Sequence, residues 1–165
     1  MRIDVLVHTT IDPPAPWSEA LIRSMAARGV AVVPTLKLWR WEMERANASA
    51  AAREAGIDGA AGQLRAFTAA GGRVIFGTDV GYMADADSTD EYTLMARAGM
   101  TPMQILSSLT TAPAARWGEA DRRGRIEPGL DADLVVLDRD PAADVRGFAA
   151  VRCTIRGGRE LFVAR

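Results

Sequence analysis

Arg73 to Tyr82 reads RVIFGTDVGY, a short apolar run (Val74, Ile75, Phe76) that ends in Gly77-Thr78-Asp79, with a second glycine at Gly81. Strands of a parallel sheet are covered on both faces and read as brief continuous hydrophobic runs. A carboxylate just past such a strand falls on the carboxyl edge of the sheet, where α/β proteins place their chemistry. The flanking glycines allow tight backbone conformations and close approach of a ligand. A single GTD also suits a plain turn, so the role of Asp79 depends on what else the chain brings to that edge.

Two further strands precede it. Ile3 to Val7 (IDVLV) reads as a buried strand followed at once by His8-Thr9-Thr10, and Val30 to Val33 (VAVV) is stopped by Pro34. After the loop IDPPAP, Leu21 and Met25 sit at helical spacing in a segment from Ser18 to Arg28, ended by Gly29. The residues after Pro34 are good helix formers up to Gly56, and a further helix is predicted over 59–70, closed by Gly71-Gly72. The order is βαβαβ, and right-handed crossovers make the three strands parallel. His8 and Asp79 then share one carboxyl edge, although 71 positions separate them in the chain.

Downstream, Ser88-Thr89-Asp90-Glu91 has the spacing of a capping box, and Thr101-Pro102-Met103-Gln104 repeats the device. A last short helix is predicted near Pro113 to Trp117. From Gly124 the pattern changes to a β-rich segment with an EPG turn, an apolar run Leu134 to Leu137, and two alternating runs around Gly157-Gly158. A Gly-Gly pair between such runs signals a hairpin. We expect an α/β domain over 1–120 and a β-appendage over 121–165.

Composition restricts the chemistry. Lys+Arg 20 against Asp+Glu 21 argues against a nucleic-acid or anionic-membrane footprint. No apolar run approaches the roughly 18 residues of a membrane span, and no signal-peptide pattern opens the chain. The one cysteine, Cys153, excludes an internal disulfide, fits a reducing cytoplasm and reads as a buried thiol. The one histidine, His8, must be the base in any Ser-His-Asp arrangement and excludes a His-rich zinc site from this chain alone. Ser107 and Ser108 lie in a helix without a nucleophile elbow. Thr78 orients its loop, and Tyr82 lies where a loop would face substrate. Asp85, Asp87, Asp90 and Glu91 follow the GTD loop; Asp90 and Glu91 suit a helix N-terminus.

The series VLVHTT, RGVAVVPTL, GGRVIFGTD, AGMTPMQILSSLTTAPAARWG and GRIEPGLDADLVVLDRDP resembles the metal-dependent amidohydrolase superfamily, and within it the imidazolonepropionase-like and prolidase-like branch. The resemblance runs through nearly the whole chain in the family's order. It implies a (β/α)₈ TIM barrel with a small β-sandwich built from both chain ends, of which this chain would hold the last three βα units and the trailing β-strands. It implies that His8 and Asp79 are ligands of a divalent metal, zinc on the family pattern, and that Asp79 also moves the proton of the attacking water. Tyr82 and Thr78 would lie on the substrate side. The family's His-x-His, bridging lysine and earlier histidine have no counterpart and would lie upstream of Met1.

The expected activity is hydrolysis of an amide, ester or lactone-like bond in a small-molecule substrate by metal-activated water, in a homo-oligomer. Two other readings stand beside it. One is a non-catalytic amidohydrolase fragment that oligomerises through open sheet edges. The other is a metal-independent esterase with His8 as base.

Overall fold

The computed structural model describes residues 3–10 and 17–164; the loop expected at 11–16 lies outside them. The chain divides into two compact units, residues 1–100 and 101–165.

The first unit is a three-stranded parallel sheet with helices in its crossovers. β1 (Val5–Val7), β2 (Ala31–Val33) and β3 (Arg73–Val74) lie in that order, with Leu6 opposite Val32 and Val32 opposite Val74. The ladder extends past the named strands, since His8 N donates to Val33 O at 2.8 Å and Ile75 N to Val32 O at 2.9 Å. β2 is central, and Ala31 and Val32 are fully buried, as an apolar strand paired on both sides should be. Phe76 leaves the ladder and stacks on Tyr92, with ring centroids 4.7 Å apart.

α1 (Glu19–Ala27) starts where Ser18 Oγ accepts the Leu21 N–H, and it buries Ile22 and Met25. α2 (Leu36–Arg45) and α3 (Ala50–Ala69) divide the long segment between β2 and β3. The break falls at Asn47 to Ser49, not at Gly56 to Gly59 as expected. Asn47 takes a left-handed φ of 53°, and Ser49 Oγ caps α3 by accepting the Ala52 N–H. Glycine disfavours a helix interior, but α3 buries a stripe of Ile57, Ala60, Ala61, Leu64 and Phe67 at helical spacing. Tertiary burial outweighs propensity there. α4 (Thr89–Arg97) buries Tyr92, Leu94 and Met95.

The second unit opens with α5 (Pro102–Leu109), whose capping box is complete: Thr101 Oγ1 accepts the Gln104 N–H at 3.2 Å, and Gln104 Oε1 accepts the Thr101 N–H at 2.8 Å. α6 (Thr111–Arg116) follows. β4 (Leu134–Leu137), β5 (Val151–Arg156) and β6 (Arg159–Val163) form an antiparallel sheet in chain order, with a 3₁₀ turn at Val145–Ala149 before β5. The β5–β6 hairpin turns on Gly157 and Gly158, both at positive φ. Cys153 is buried in β5. Among the described residues no helix is long and apolar enough to cross a membrane.

Candidate functional site at the carboxyl edge of the parallel sheet

The parallel ladder places His8 after β1, Thr35 after β2 and Asp79 after β3, all at the carboxyl end of the sheet. All three have left-handed backbones, with φ of 70°, 49° and 63° respectively. Only one other described non-glycine residue, Asn47, has a positive φ. Such conformations cost about 1–3 kcal/mol each and gather at functional sites. Each of the three strands is therefore followed, at its end or within five residues of it, by a polar residue on left-handed backbone.

The His8 loop is held on two sides. Thr9 N and Thr9 Oγ1 both donate to Pro34 O, at 3.1 and 3.2 Å. Gln63, fully buried on α3, takes the Thr10 N–H on Oε1 at 3.1 Å and gives Nε2–H to Thr10 O at 2.9 Å. The imidazole is fixed by Thr35, whose Oγ1 lies 2.7 Å from His8 Nδ1, and by Trp39, which meets it edge-to-face with centroids 6.3 Å apart. The Trp39 indole N–H is buried without a hydrogen-bond partner among the described residues.

Asp79 is exposed and its carboxylate makes no hydrogen bond among the described residues. Its carbonyl accepts from Tyr82 N at 3.2 Å and closes a turn. Thr78 Oγ1 accepts the Val80 N–H at 3.3 Å, the loop-orienting contact expected of it. Gly77 sits where a Cβ would meet Val33 Cγ1 at 2.5 Å, so only glycine lets the GTD turn pass this close to the middle strand. Tyr82 is exposed, but its hydroxyl donates to Glu42 Oε1 at 2.6 Å and its ring packs edge-on to Trp41. The bond to Glu42 raises the Tyr82 phenol above its ordinary range. Tyr82 thus ties the post-GTD loop to α2.

The acidic residues that follow are committed to structure. Asp85 pairs with the buried Lys37 ammonium at 2.8 Å, which also donates to the carbonyls of Asp85 and Asp87. The bond from Lys37 holds the Asp85 carboxyl below the usual range, and bonds from the Thr89 hydroxyl and N–H do the same for Asp87. Asp90 pairs with Arg40 at 3.0 Å. The capping box expected at Ser88 to Glu91 does not form, since Ser88 makes no side-chain cap. Glu91 is instead buried and accepts the N–H groups of Leu36 and Lys37 at 3.0 and 2.7 Å, capping α2 from another helix. Burial pushes its carboxyl up to about 7, against the pull of those two bonds.

The donors at the edge suit a divalent ion of the zinc type, which takes imidazole nitrogen and carboxylate oxygen. With Nδ1 engaged by Thr35, His8 retains Nε2, and the Asp79 carboxylate is uncommitted. Among the described residues no group of three His, Cys, Asp or Glu side chains converges. This edge therefore supplies two donors of the right kind.

A family profile described as "Amidohydrolase family" matches residues 18–161. The chain belongs to the amidohydrolase family. Curated relatives match over shorter stretches. An imidazolonepropionase of Thermoplasma acidophilum is 39% identical over 66 residues, 38% of this chain and 16% of the relative. An "Amidohydrolase tasK" of Hapsidospora irregularis is 44% identical over 59 residues, 36% of this chain and 6% of the relative. Among solved structures, a Xaa-Pro dipeptidase with bound methionine superposes with a TM-score of 0.81 at 23% identity, over 98% of this chain and 40% of its own. A prolidase complexed with N-methylphosphonate-L-proline gives 0.77 at 23% identity, over 97% and 40%. These likenesses show the fold alone, that of part of a TIM-barrel-like amidohydrolase structure. The chain spans about two-fifths of the solved structures it matches.

Proposed function

We propose that this chain carries the last three βα units of an amidohydrolase barrel and the trailing strands of its β-sandwich, and that its edge residues serve hydrolysis of an amide, ester or lactone-like bond in a small molecule. The observation that carries the reading is the alignment of His8 and Asp79 at the carboxyl ends of parallel strands, on strained backbone, in a chain of this family. His8, through Nε2, and Asp79, through its carboxylate, would hold the divalent ion. When bound, such an ion polarises a carbonyl and lowers the pKa of water.

The chain's own groups do the rest. Asp79 takes the proton of the attacking water and returns it to the leaving nitrogen or oxygen, a task suited to an uncommitted carboxylate. Thr78 and the tether from Tyr82 to Glu42 set the loop that presents Asp79. Tyr82, more than half exposed, adds an aromatic face for substrate beside it.

The test is elemental analysis of protein purified without chelator, with hydrolysis of a panel of amide and ester substrates before and after chelation. Bound divalent ion, chelator-sensitive hydrolysis and loss of activity in Asp79→Asn are expected. Metal well below one ion per chain or per oligomer, together with no hydrolysis, overturns the reading.

The donor count favours one second reading, a non-catalytic unit that self-associates through the free edges of β1 and β3. It predicts an oligomer by light scattering, with neither metal nor turnover. A metal-free esterase using His8 as base is poorly served by the geometry. The hydroxyl next to His8 is that of Thr35, which is buried and directs its proton at Pro34 O, 2.8 Å away.

A further inference from the structure

We infer that Thr35 is a positioning residue that holds neutral His8 in the Nδ1–H tautomer, leaving the lone pair on Nε2. The inference deepens the hydrolase reading of His8 and rests on counting protons between three atoms.

A threonine hydroxyl has one proton to give and two lone pairs to receive with. Thr35 Oγ1 lies 2.8 Å from Pro34 O and 2.7 Å from His8 Nδ1. A carbonyl oxygen has no proton, so two oxygens at 2.8 Å attract only if the hydroxyl proton lies between them. A Thr35 hydroxyl that gives its one proton to Pro34 O meets His8 Nδ1 only as an acceptor, so in that contact the nitrogen donates. Pro34 O also receives Thr9 N and Thr9 Oγ1, but at the longer distances of 3.1 and 3.2 Å, so Thr35 is its closest partner.

The structure also explains why this hydroxyl is available. Thr35 occupies the N-cap position of α2, where a threonine ordinarily accepts a first-turn N–H. Its φ of 49° is left-handed and it makes no side-chain cap. The first-turn N–H groups of Leu36 and Lys37 go to Glu91. A carboxylate from α4 performs the capping, and the threonine is released to face His8. The hydrogen bond on one ring nitrogen sets the tautomer and so decides which nitrogen keeps a lone pair for a metal or a proton. A free neutral histidine side chain favours the opposite form, with its proton on Nε2.

His8 is the only histidine in the chain, so its imidazole can be read without assignment ambiguity. The experiment is long-range ¹H–¹⁵N correlation on ¹⁵N-labelled, metal-free protein, at a pH where the ring is neutral. The wild type is expected to show a protonated Nδ1 and an unprotonated Nε2. Thr35→Val, of equal size but without the hydroxyl, is expected to lose that single-tautomer pattern, and Thr35→Ser to keep it. A wild type with Nε2–H, a wild type that mixes both forms, or an unchanged pattern in folded Thr35→Val each overturns the inference. If Thr35→Val does not fold, Thr35→Ala replaces it, and the wild-type spectrum decides alone if neither folds. The readout needs neither metal nor turnover. Metal well below one ion per chain or per oligomer and no hydrolysis, with the Nδ1–H pattern present, sink the hydrolase reading and leave this one standing.

Discussion

Glu91 on α4 accepts two backbone N–H groups from the first turn of α2, those of Leu36 at 3.0 Å and Lys37 at 2.7 Å. One buried carboxylate thereby joins the helix after the GTD loop to the helix after the middle strand. Its charge complements the positive end of the α2 dipole, yet burial still raises its carboxyl to about 7.

That rise makes stability depend on pH in a stated direction. The carboxyl binds its proton more tightly folded than unfolded, from an ordinary 4.5 to about 7. Its contribution is full below the lower value and is lost as pH rises through the upper one, by an amount on the order of 3 kcal/mol. Glu91→Gln does not titrate, so wild-type stability minus variant stability should fall between those pH values in urea titrations. The variant itself should lose about 1–3 kcal/mol, because one amide face turns a donor toward an N–H donor.

Lys37 holds the loop between Asp79 and α4. Lys37→Met keeps the stem and removes the ammonium that binds Asp85 and the Asp87 carbonyl. A loss of about 2 kcal/mol is expected, with the Asp85 carboxyl rising toward its ordinary range. Carbon-detected titration of the aspartates checks this, and an unmoved Asp85 would show that Lys37 is not its partner in solution.

Gly77→Ala should destabilise the first unit by about 1–3 kcal/mol through overpacking, since its Cβ would fall 2.5 Å from Val33 Cγ1. Shortening the neighbour tests the cause. Gly77→Ala combined with Val33→Ala should cost less than the sum of the single changes, and strict additivity in denaturation curves would refute the contact.

Gln63 is the internal anchor of the His8 loop. Gln63→Leu removes both hydrogen bonds to Thr10 and should lower global stability by about 2–4 kcal/mol. It should also raise amide exchange at Thr9 and Thr10 well before β2 opens. Exchange confined to global unfolding in the variant would contradict that role.

Much of this was legible in the sequence. The three parallel strands, the helix bounded by Ser18 and Gly29, the Thr101–Gln104 capping box and the Gly157-Gly158 hairpin all follow from local pattern and turn chemistry, although the first strand, expected to be buried, has Ile3 and Val7 exposed. The topology that aligned His8 with Asp79 applied equally to the residue after the middle strand. Thr35 was therefore within reach of the same reasoning, but there Pro34 reads only as a strand stop and Thr35 as the first of a run of helix formers. The failures share a physical cause. Ser88-x-x-Glu91 satisfies the local capping rule, but the carboxylate finds two better donors on a helix far away in sequence. Gly56 and Gly59 read as breaks, but the buried face of α3 carries the helix through them. Lys37 and Gln63 look like surface residues until the fold surrounds them.

The left-handed backbones of His8, Thr35 and Asp79 have a consequence for protein engineering. At each position glycine would be more comfortable than the residue present. A screen for thermal tolerance alone would be drawn to these three sites, and each variant it kept would have given up a side chain from the rim of the sheet. Positions where such a screen gains stability and loses ligand together mark the working surface of the chain, even while the ligand itself has no name.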